Sequence, residues 1–281
     1  MIIPRSDLIL PQRGFFIPRA PAIIRRLPLG MPGFDPMPWQ RKAAIGTPTV
    51  FINQLQSSIS SGSNSAATGS DIPAGSTIFV ALTNNGQPNE AISTLADSGA
   101  GGGNSYLQAV QNAATASIFS CAIWYCLNTT VDLPVGSTFK VTTALGQYGI
   151  CVIVVTGAKG GLDKTANVAQ TSANTGPSLA NNPLTQAIEI LLGVYNSTNT
   201  FGSFTEASGW TSLGTVAASG LPGFAYLIVS STSGGTYNPR TSGNQTFAAV
   251  LATFMATASS SYFPLVCAEM PVRGSFKAVA Y

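Results

Sequence analysis

The sequence predicts an all-β protein: a single large antiparallel β-sandwich, jelly-roll or Ig-like, with an extended N-terminal arm and an extended C-terminal tail. Three observations predict it. Short runs rich in Val, Ile, Phe and Thr recur through residues 48–256, separated by glycine- and serine-rich turns. The chain shows little helical periodicity and no strand–helix alternation of the kind that builds a parallel sheet. Nine of the eighteen prolines precede Val50. Each of these fixes φ, removes an amide donor and extends the residue before it.

The arm, residues 1–47, is therefore an extended ribbon. It holds seven of the thirteen basic residues and only Asp7 and Asp35 against them, so it carries +5, while the remaining six basic and eight acidic residues give −2. It is also rich in large apolar side chains, unlike a solvated disordered tail. Arg5, Arg13, Phe15, Phe16, Arg19, Arg25, Arg26, Phe34 and Trp39 are its candidate anchoring residues. Prolines lower the entropy lost on ordering such a ribbon, and arginines pair with carboxylates while burying their stems. Two rivals exist: the arm folding back on its own domain, and phosphate binding. The low charge density and the excess of apolar residues over arginines disfavour nucleic acid.

The body, residues 48–256, begins with PTVFINQLQSSIS, anchored by Val50, Ile52 and Leu55. TIFVAL is the next strand, and Asn85-Gly86 suits a tight turn. Ile92 and Leu95 suit a short strand, and Gly99, Gly101, Gly102 and Gly103 a flexible turn. YLQAVQNAA fits either a strand or one or two helical turns. SIFSCAIWYCL, around 118–127, is the strongest strand signal and suits a central, doubly buried position. Cys121 and Cys126 are five apart, so on one strand they face opposite ways and do not bridge. GICVIVVTGAKG follows. Its Gly157, Lys159, Gly160 and Gly161 lack phosphate-loop spacing and read as turn residues. Residues 170–185 read as loop, AIEILLGVYN and FAYLIVSST as strands, and TFAAVLATFMA as a final strand rather than a helix. No internal repeat is evident, and eight to ten strands are expected. The tail, residues 257–281, carries Pro264, Pro271 and many apolar residues, which suits extended pairing at a sheet edge.

Composition limits the chemistry. Charged residues make up 8% of the chain, against about 25% in typical domains. Such a neutral surface suits a protein that assembles. There is no histidine, so a Ser-His-Asp or Cys-His system is impossible. Four cysteines without a CxxC pair suit buried thiols better than zinc. Asp97, Asp132, Asp163, Glu189, Glu206 and Glu269 occur singly, with no catalytic or calcium-loop pattern. No catalytic residue, cofactor or metal is assigned. Tyr106, Tyr148, Trp210 and Tyr237, on Asn-rich stretches, are candidates for surface recognition of sugars by stacking. There is no apolar run long enough to span a membrane and no leader-like segment.

The passages STIFVALTNNG, IFSCAIWYCLNTT, VGSTFKVTT with GICVIVVTGAKGGLDKT, IEILLGVYN and GFAYLIVSSTSGG together resemble the glycine-, serine- and threonine-rich β-sandwich virion proteins of tailed bacteriophages. The matching positions are Trp124-Tyr125 and then Val155, Gly160 and Asp163. The resemblance implies a non-enzymatic virion structural protein: a capsid decoration or cement protein, a head fibre or a tail adhesin. The Arg/Pro arm is additional to the pattern and suits attachment to the major capsid protein or another virion protein. The resemblance also implies a homo-oligomer, with a trimer as the common arrangement, assembly in the host cytoplasm and residence in the virion. Reduced cysteines suit that compartment. The alternatives are a tail-associated module binding a host-surface glycan, and a secreted bacterial adhesin or polysaccharide-degrading enzyme.

Overall fold

Unbroken apolar strands need cover on both faces, and this fold supplies it by stacking four layers. The computed structural model describes residues 47–59, 65–85, 94–112, 119–142, 147–197, 203–215 and 223–257. The arm candidates Arg5, Arg13, Phe15, Phe16, Arg19, Arg25, Arg26, Phe34 and Trp39, and the tail from residue 258, lie outside the described residues.

The first half contains β1 (Thr49–Ile59), β2 (Ser65–Ala67), β3 (Thr77–Asn85), β4 (Thr94–Asp97), β5 (Leu107–Asn112), β6 (Phe119–Cys126), β7 (Thr138–Thr142) and β8 (Gln147–Thr156). The second contains β9 (Leu162–Asn174), β10 (Leu179–Ala180), β11 (Glu189–Ser197), β12 (Phe204–Thr205), β13 (Thr211–Thr215), β14 (Gly223–Val229), β15 (Thr236–Tyr237), β16 (Arg240–Thr241) and β17 (Gln245–Met255). Each pairing between these strands is antiparallel. The all-β reading therefore holds, but the arrangement differs from one simple sandwich.

The two halves repeat one topology. In the first, the five-stranded sheet runs β1-β8-β3-β6-β5, with β2-β7-β4 as a covering sheet. In the second, the sheet read from its other edge runs β9-β17-β11-β14-β13. Its cover is β10-β15 and β12-β16, so two short strands stand where the first half has β7. A repeat is thus present, and the expectation of none is corrected. Few side chains are shared between the halves; what repeats is the order of pairing.

Three cores hold the layers together. The central one joins the two large sheets through Phe79, Cys121, Ile153 and Val155 on one side and Ile190, Val194, Phe224, Val250 and Phe254 on the other. A second lies between the first sheet and its cover, around Ile78, Val80, Leu82, Trp124 and Phe139. A third lies between the second sheet and its ribbons, around Leu191, Tyr195, Phe247, Leu251 and Tyr237. Strand side chains alternate between faces, so a strand covered on both sides must be apolar throughout. All nine residues of β11 are buried, and seven of the eight in β6. As expected from their spacing, Cys121 faces the central core and Cys126 the outer one.

Some local expectations are corrected. Of the two readings left open for YLQAVQNAA, Leu107–Asn112 takes the strand, as β5. Residues 170–174, read as loop, belong to the long edge strand β9, and β10 follows at Leu179–Ala180. The polar sequence of β9 hid it, because only one of its sides faces another strand.

The two large sheets run in register along their length. Phe79 lies against Phe254 with ring centroids 4.3 Å apart, and Tyr125 against the same ring at 5.2 Å. Toward the other end, Asn196 Nδ2 donates to the Asn84 carbonyl at 3.0 Å and the Cys121 thiol to the Ala248 carbonyl at 3.3 Å. The body thus has two poles. At the first, β1, β3, β9 and β11 begin and β6, β8, β14 and β17 end.

Two-sided burial predicts that both outer cores matter. Leu82→Ala and Leu191→Ala each leave a cavity under a cover sheet, and each is expected to lower unfolding free energy by about 2–5 kcal/mol. Denaturant melts of the purified chain check this; losses well under 1 kcal/mol would mean that the covers are not integral to the fold.

Candidate functional site

Five of the six described carboxylates, Asp71, Asp97, Asp132, Asp163 and Glu189, gather at the first pole, while Glu206 follows β12 in the second cover near Tyr237. Asp97, at the end of β4, has its carboxylate ringed by donors. The Gly99 amide donates at 2.9 Å, the Asn104 amide at 3.2 Å, Asn104 Nδ2 at 3.0 Å and the Tyr106 hydroxyl at 2.7 Å. Asn104 Oδ1 in turn accepts the Thr130 and Val131 amides at 2.7 and 3.1 Å. The network therefore ties the 98–106 loop to the loop after β6. Gly99 and Gly103 pack closely on Asp97, while Gly101 and Gly102 between them face open space. Gly103 has φ +82°, and a Cβ there would lie 2.7 Å from the Asp97 carbonyl oxygen. Burial pushes the Tyr106 hydroxyl far above its ordinary range, and its bond to Asp97 pushes it further.

The second feature is a clasp with local two-fold symmetry. Residues 71–77 read DIPAGST and residues 132–138 read DLPVGST. Ile72 and Leu133 exchange both backbone hydrogen bonds at 2.8 Å. Asp71 Oδ1 accepts the Val135 amide at 2.7 Å, and Asp132 Oδ1 accepts the Ala74 amide at 2.6 Å. Thr68 Oγ1 donates to the Pro134 carbonyl, and Thr129 Oγ1 to that of Pro73. Each Pro-x-Gly-Ser is a type II turn with its glycine at φ +84° or +86°. A cleft of about 310 Å³ lies between the two arms of the clasp, lined by Asp71, Ile72, Pro73, Asp132, Leu133 and Pro134. The sequence signal was available in the repeated D-x-P-x-G-S-T, but it escaped the reading above.

The third feature is the meeting of Asp163 and Glu189, which sequence alone left as single carboxylates. Partial burial pushes Asp163 up, but the Thr185 hydroxyl and amide outweigh it and hold that carboxylate low. Glu189 is fully buried. Burial pushes its carboxyl up, and the neighbouring Asp163 carboxylate adds to the shift. Lys164 donates to the Pro183 carbonyl beside them. A carboxyl pair of this kind could move a proton, but Glu189 offers no surface to a substrate.

The sequence-derived aromatic candidates occupy different places from those expected. Tyr106 is buried against Phe139, with ring centroids 6.0 Å apart. Trp210 is buried and donates from its indole to the Thr236 carbonyl at 3.0 Å. Tyr237 is fully buried and packs against Trp210, ring centroids 4.8 Å apart and planes tilted by 52°. These three are corrected from surface recognition to core packing: the loops carrying them fold inward as the outer cores. Tyr148 lies in β8, and its side chain is outside the described residues. Tyr106 and Trp210 each immediately precede the edge strand of their half, so they are equivalent positions of the repeat.

Lys159, in the turn joining the halves, donates to the Gly75 carbonyl. With Gly157 and Gly161 at positive φ, it closes an inter-repeat turn. Cys121 and Cys151 are buried thiols whose burial pushes them up, Cys151 to about 12, so neither is a ready nucleophile. Among the described residues no group of three or more Cys, Asp or Glu side chains could hold a metal ion, and no helix is long and apolar enough to cross a membrane. No protein-family model, curated protein or solved structure matches this chain.

Two predictions follow from this geometry. Gly103→Ala is expected to destabilise the fold by more than about 2 kcal/mol, from positive φ and contact with Asp97 together. Tyr106→Phe, which removes one donor from a buried carboxylate, is expected to lose about 1–3 kcal/mol. Equilibrium unfolding measures both, and near-zero values would remove Asp97 as the organiser of the pole. The raised Glu189 group gives a definite sign to pH dependence. Its stabilising contribution is full below the ordinary carboxyl range and is lost as pH rises through the raised value. Glu189→Gln should therefore gain on the parent chain as pH rises above the ordinary carboxyl range. A melting-temperature series in which the gap stays flat or reverses contradicts the assignment.

Proposed function

We propose that this chain is a non-enzymatic structural protein of a bacteriophage particle, a capsid decoration protein or head fibre, attached to the coat through residues 1–47. The body is read as a sandwich-type block whose role is to be carried. The observation that supports this most is the division of binding chemistry along the chain. The body keeps Tyr106, Trp210 and Tyr237 inside, and its best-placed carboxylates accept hydrogen bonds from its own backbone. The arm holds seven basic residues, nearly half of the prolines and a row of large apolar side chains. Recognition by the chain is thus concentrated where Arg5, Arg13, Phe15, Phe16, Arg19, Arg25, Arg26, Phe34 and Trp39 lie. The partner is the major capsid protein or another virion protein, with a homo-oligomer as the unit of attachment and the virion as the location.

The tail-adhesin alternative loses support, because three of the aromatics it would stack on a host glycan are buried. The secreted-enzyme alternative has one carboxyl pair, Asp163 with Glu189, and burial of Glu189 weighs against it.

Deletion of residues 1–47 tests the proposal. The expected outcome is a body that keeps a β-sheet circular dichroism spectrum and a cooperative melt, yet is missing from particles purified from the lysate. Normal incorporation of the truncated chain would overturn attachment through the arm.

A further inference from the structure

We infer that the third core binds a structural water molecule at the second pole, held by Tyr195, Ser197, Thr241 and Gln245, and that this water fastens the β12-β16 ribbon to the large sheet beneath it.

The four side chains come from three strands that meet under the ribbon. Tyr195 and Ser197 stand two apart near the end of β11, so they share the face turned toward the third core. Thr241 closes β16 opposite Phe204, whose ring centroid lies 5.5 Å from that of Tyr195. Gln245 opens β17, and its Nε2 lies 3.9 Å from where a Cβ on Gly243 would stand. The Gly243 carbonyl accepts the Thr241 hydroxyl at 2.8 Å, so the Gln245 amide ends beside Thr241. All four side chains are more than nine-tenths buried.

Buried polar atoms are nearly always hydrogen-bonded. Yet the Tyr195 hydroxyl, Ser197 Oγ and Gln245 Oε1 have no partner among the described residues. Burial pushes the Tyr195 hydroxyl up, and the nearby hydroxyls of Ser197 and Thr241 work against that shift. The three hydroxyls therefore face one another, but Tyr195 and Ser197 bond neither each other nor Thr241. Polar groups that face one another across such a gap are joined by a bridging group.

The supply of protons identifies the bridge. Tyr195 and Ser197 each have a proton to donate. Thr241 has given its proton to Gly243 and offers lone pairs, and Gln245 offers its amide oxygen. A water molecule accepts from Tyr195 and Ser197 and donates to Thr241 Oγ1 and Gln245 Oε1, which completes all four. A cation would leave the two hydroxyl protons without acceptors, and an anion would meet the oxygens of Thr241 and Gln245.

The fold gives this water a task. The first cover is continuous, with β7 paired on both sides. The second is divided, and the β12-β16 ribbon has two residue pairs, Phe204 with Thr241 and Thr205 with Arg240. The Thr241 amide ties the ribbon to the Thr175 carbonyl at 2.9 Å, just beyond the edge strand β9. The water adds a polar tie to β11 and β17, inside the sheet.

Two measurements on the full-length chain test this. The first is a crystal structure at a resolution that shows ordered water. The expected result is a water peak about 2.7–3.2 Å from the Tyr195 oxygen, Ser197 Oγ, Thr241 Oγ1 and the Gln245 amide. A direct bond from Tyr195 to Ser197 or Thr241, with no water between them, would overturn the inference. The second is equilibrium unfolding of Tyr195→Phe, Gln245→Leu and the double variant. Each single change is expected to raise the unfolding constant by about fivefold to a hundredfold. The double change should fall about fivefold or more short of their product, because losing either partner already frees the water. A double variant equal to the product would overturn the shared site. Ser197→Ala stands in for either single variant that does not fold.

Discussion

Burial of both faces of two five-stranded sheets is the constraint from which the rest of this structure follows. A sheet with one wet face alternates apolar and polar residues; a sheet with two dry faces cannot. Strands such as β6 and β11 are accordingly almost wholly apolar, and the covers β2-β7-β4, β10-β15 and β12-β16 exist to keep their outer faces dry. The same constraint gives the low charge a cause. Four layers place much of the chain in cores, where Lys and Glu are rare, and most polar positions that remain are filled by hydroxyls and amides.

With the sheet faces closed, polar groups collect where strands begin and end. Asp97 satisfies a glycine-rich loop, Asp71 and Asp132 each complete the other's turn, and Asp163 takes the Thr185 donors while Glu189 beside it is driven toward its neutral form. Each carboxylate replaces a backbone partner that a tight turn cannot supply, which is why they recur before and after the large strands. These side chains organise the pole from which β1 begins and at which β17 ends.

Much of the body was legible in the sequence. The strands around 77–85, 118–127, 149–156, 189–196, 224–229 and 246–255 stand out because two-sided burial makes them continuous apolar runs. The opposite facing of Cys121 and Cys126 follows from strand geometry alone. Other features were hidden for physical reasons. β9 is an edge strand with polar residues, so no apolar run marks it. The repeat of the two halves lies in the order of strand pairing, which local sequence does not encode. Tyr106, Trp210 and Tyr237 sit among Gly, Ser and Asn and so read as loop residues at a surface. Their loops form the outer cores instead, and only tertiary packing decides that. The glycines at 99–103 read as freedom, whereas Gly99 and Gly103 are needed for close approach to the Asp97 carboxylate.

The functional account joins a body closed on its faces to an arm that holds most of the chain's basic residues and nearly half of its prolines. Its central claim is that the arm carries the body on a virus particle. The most direct measurement is cryo-electron microscopy of particles from a lysate containing this protein. The account predicts density for the four-layered body on the capsid, with residues 1–47 running extended across coat subunits. Density confined to the tail, or particles lacking the protein altogether, would contradict it.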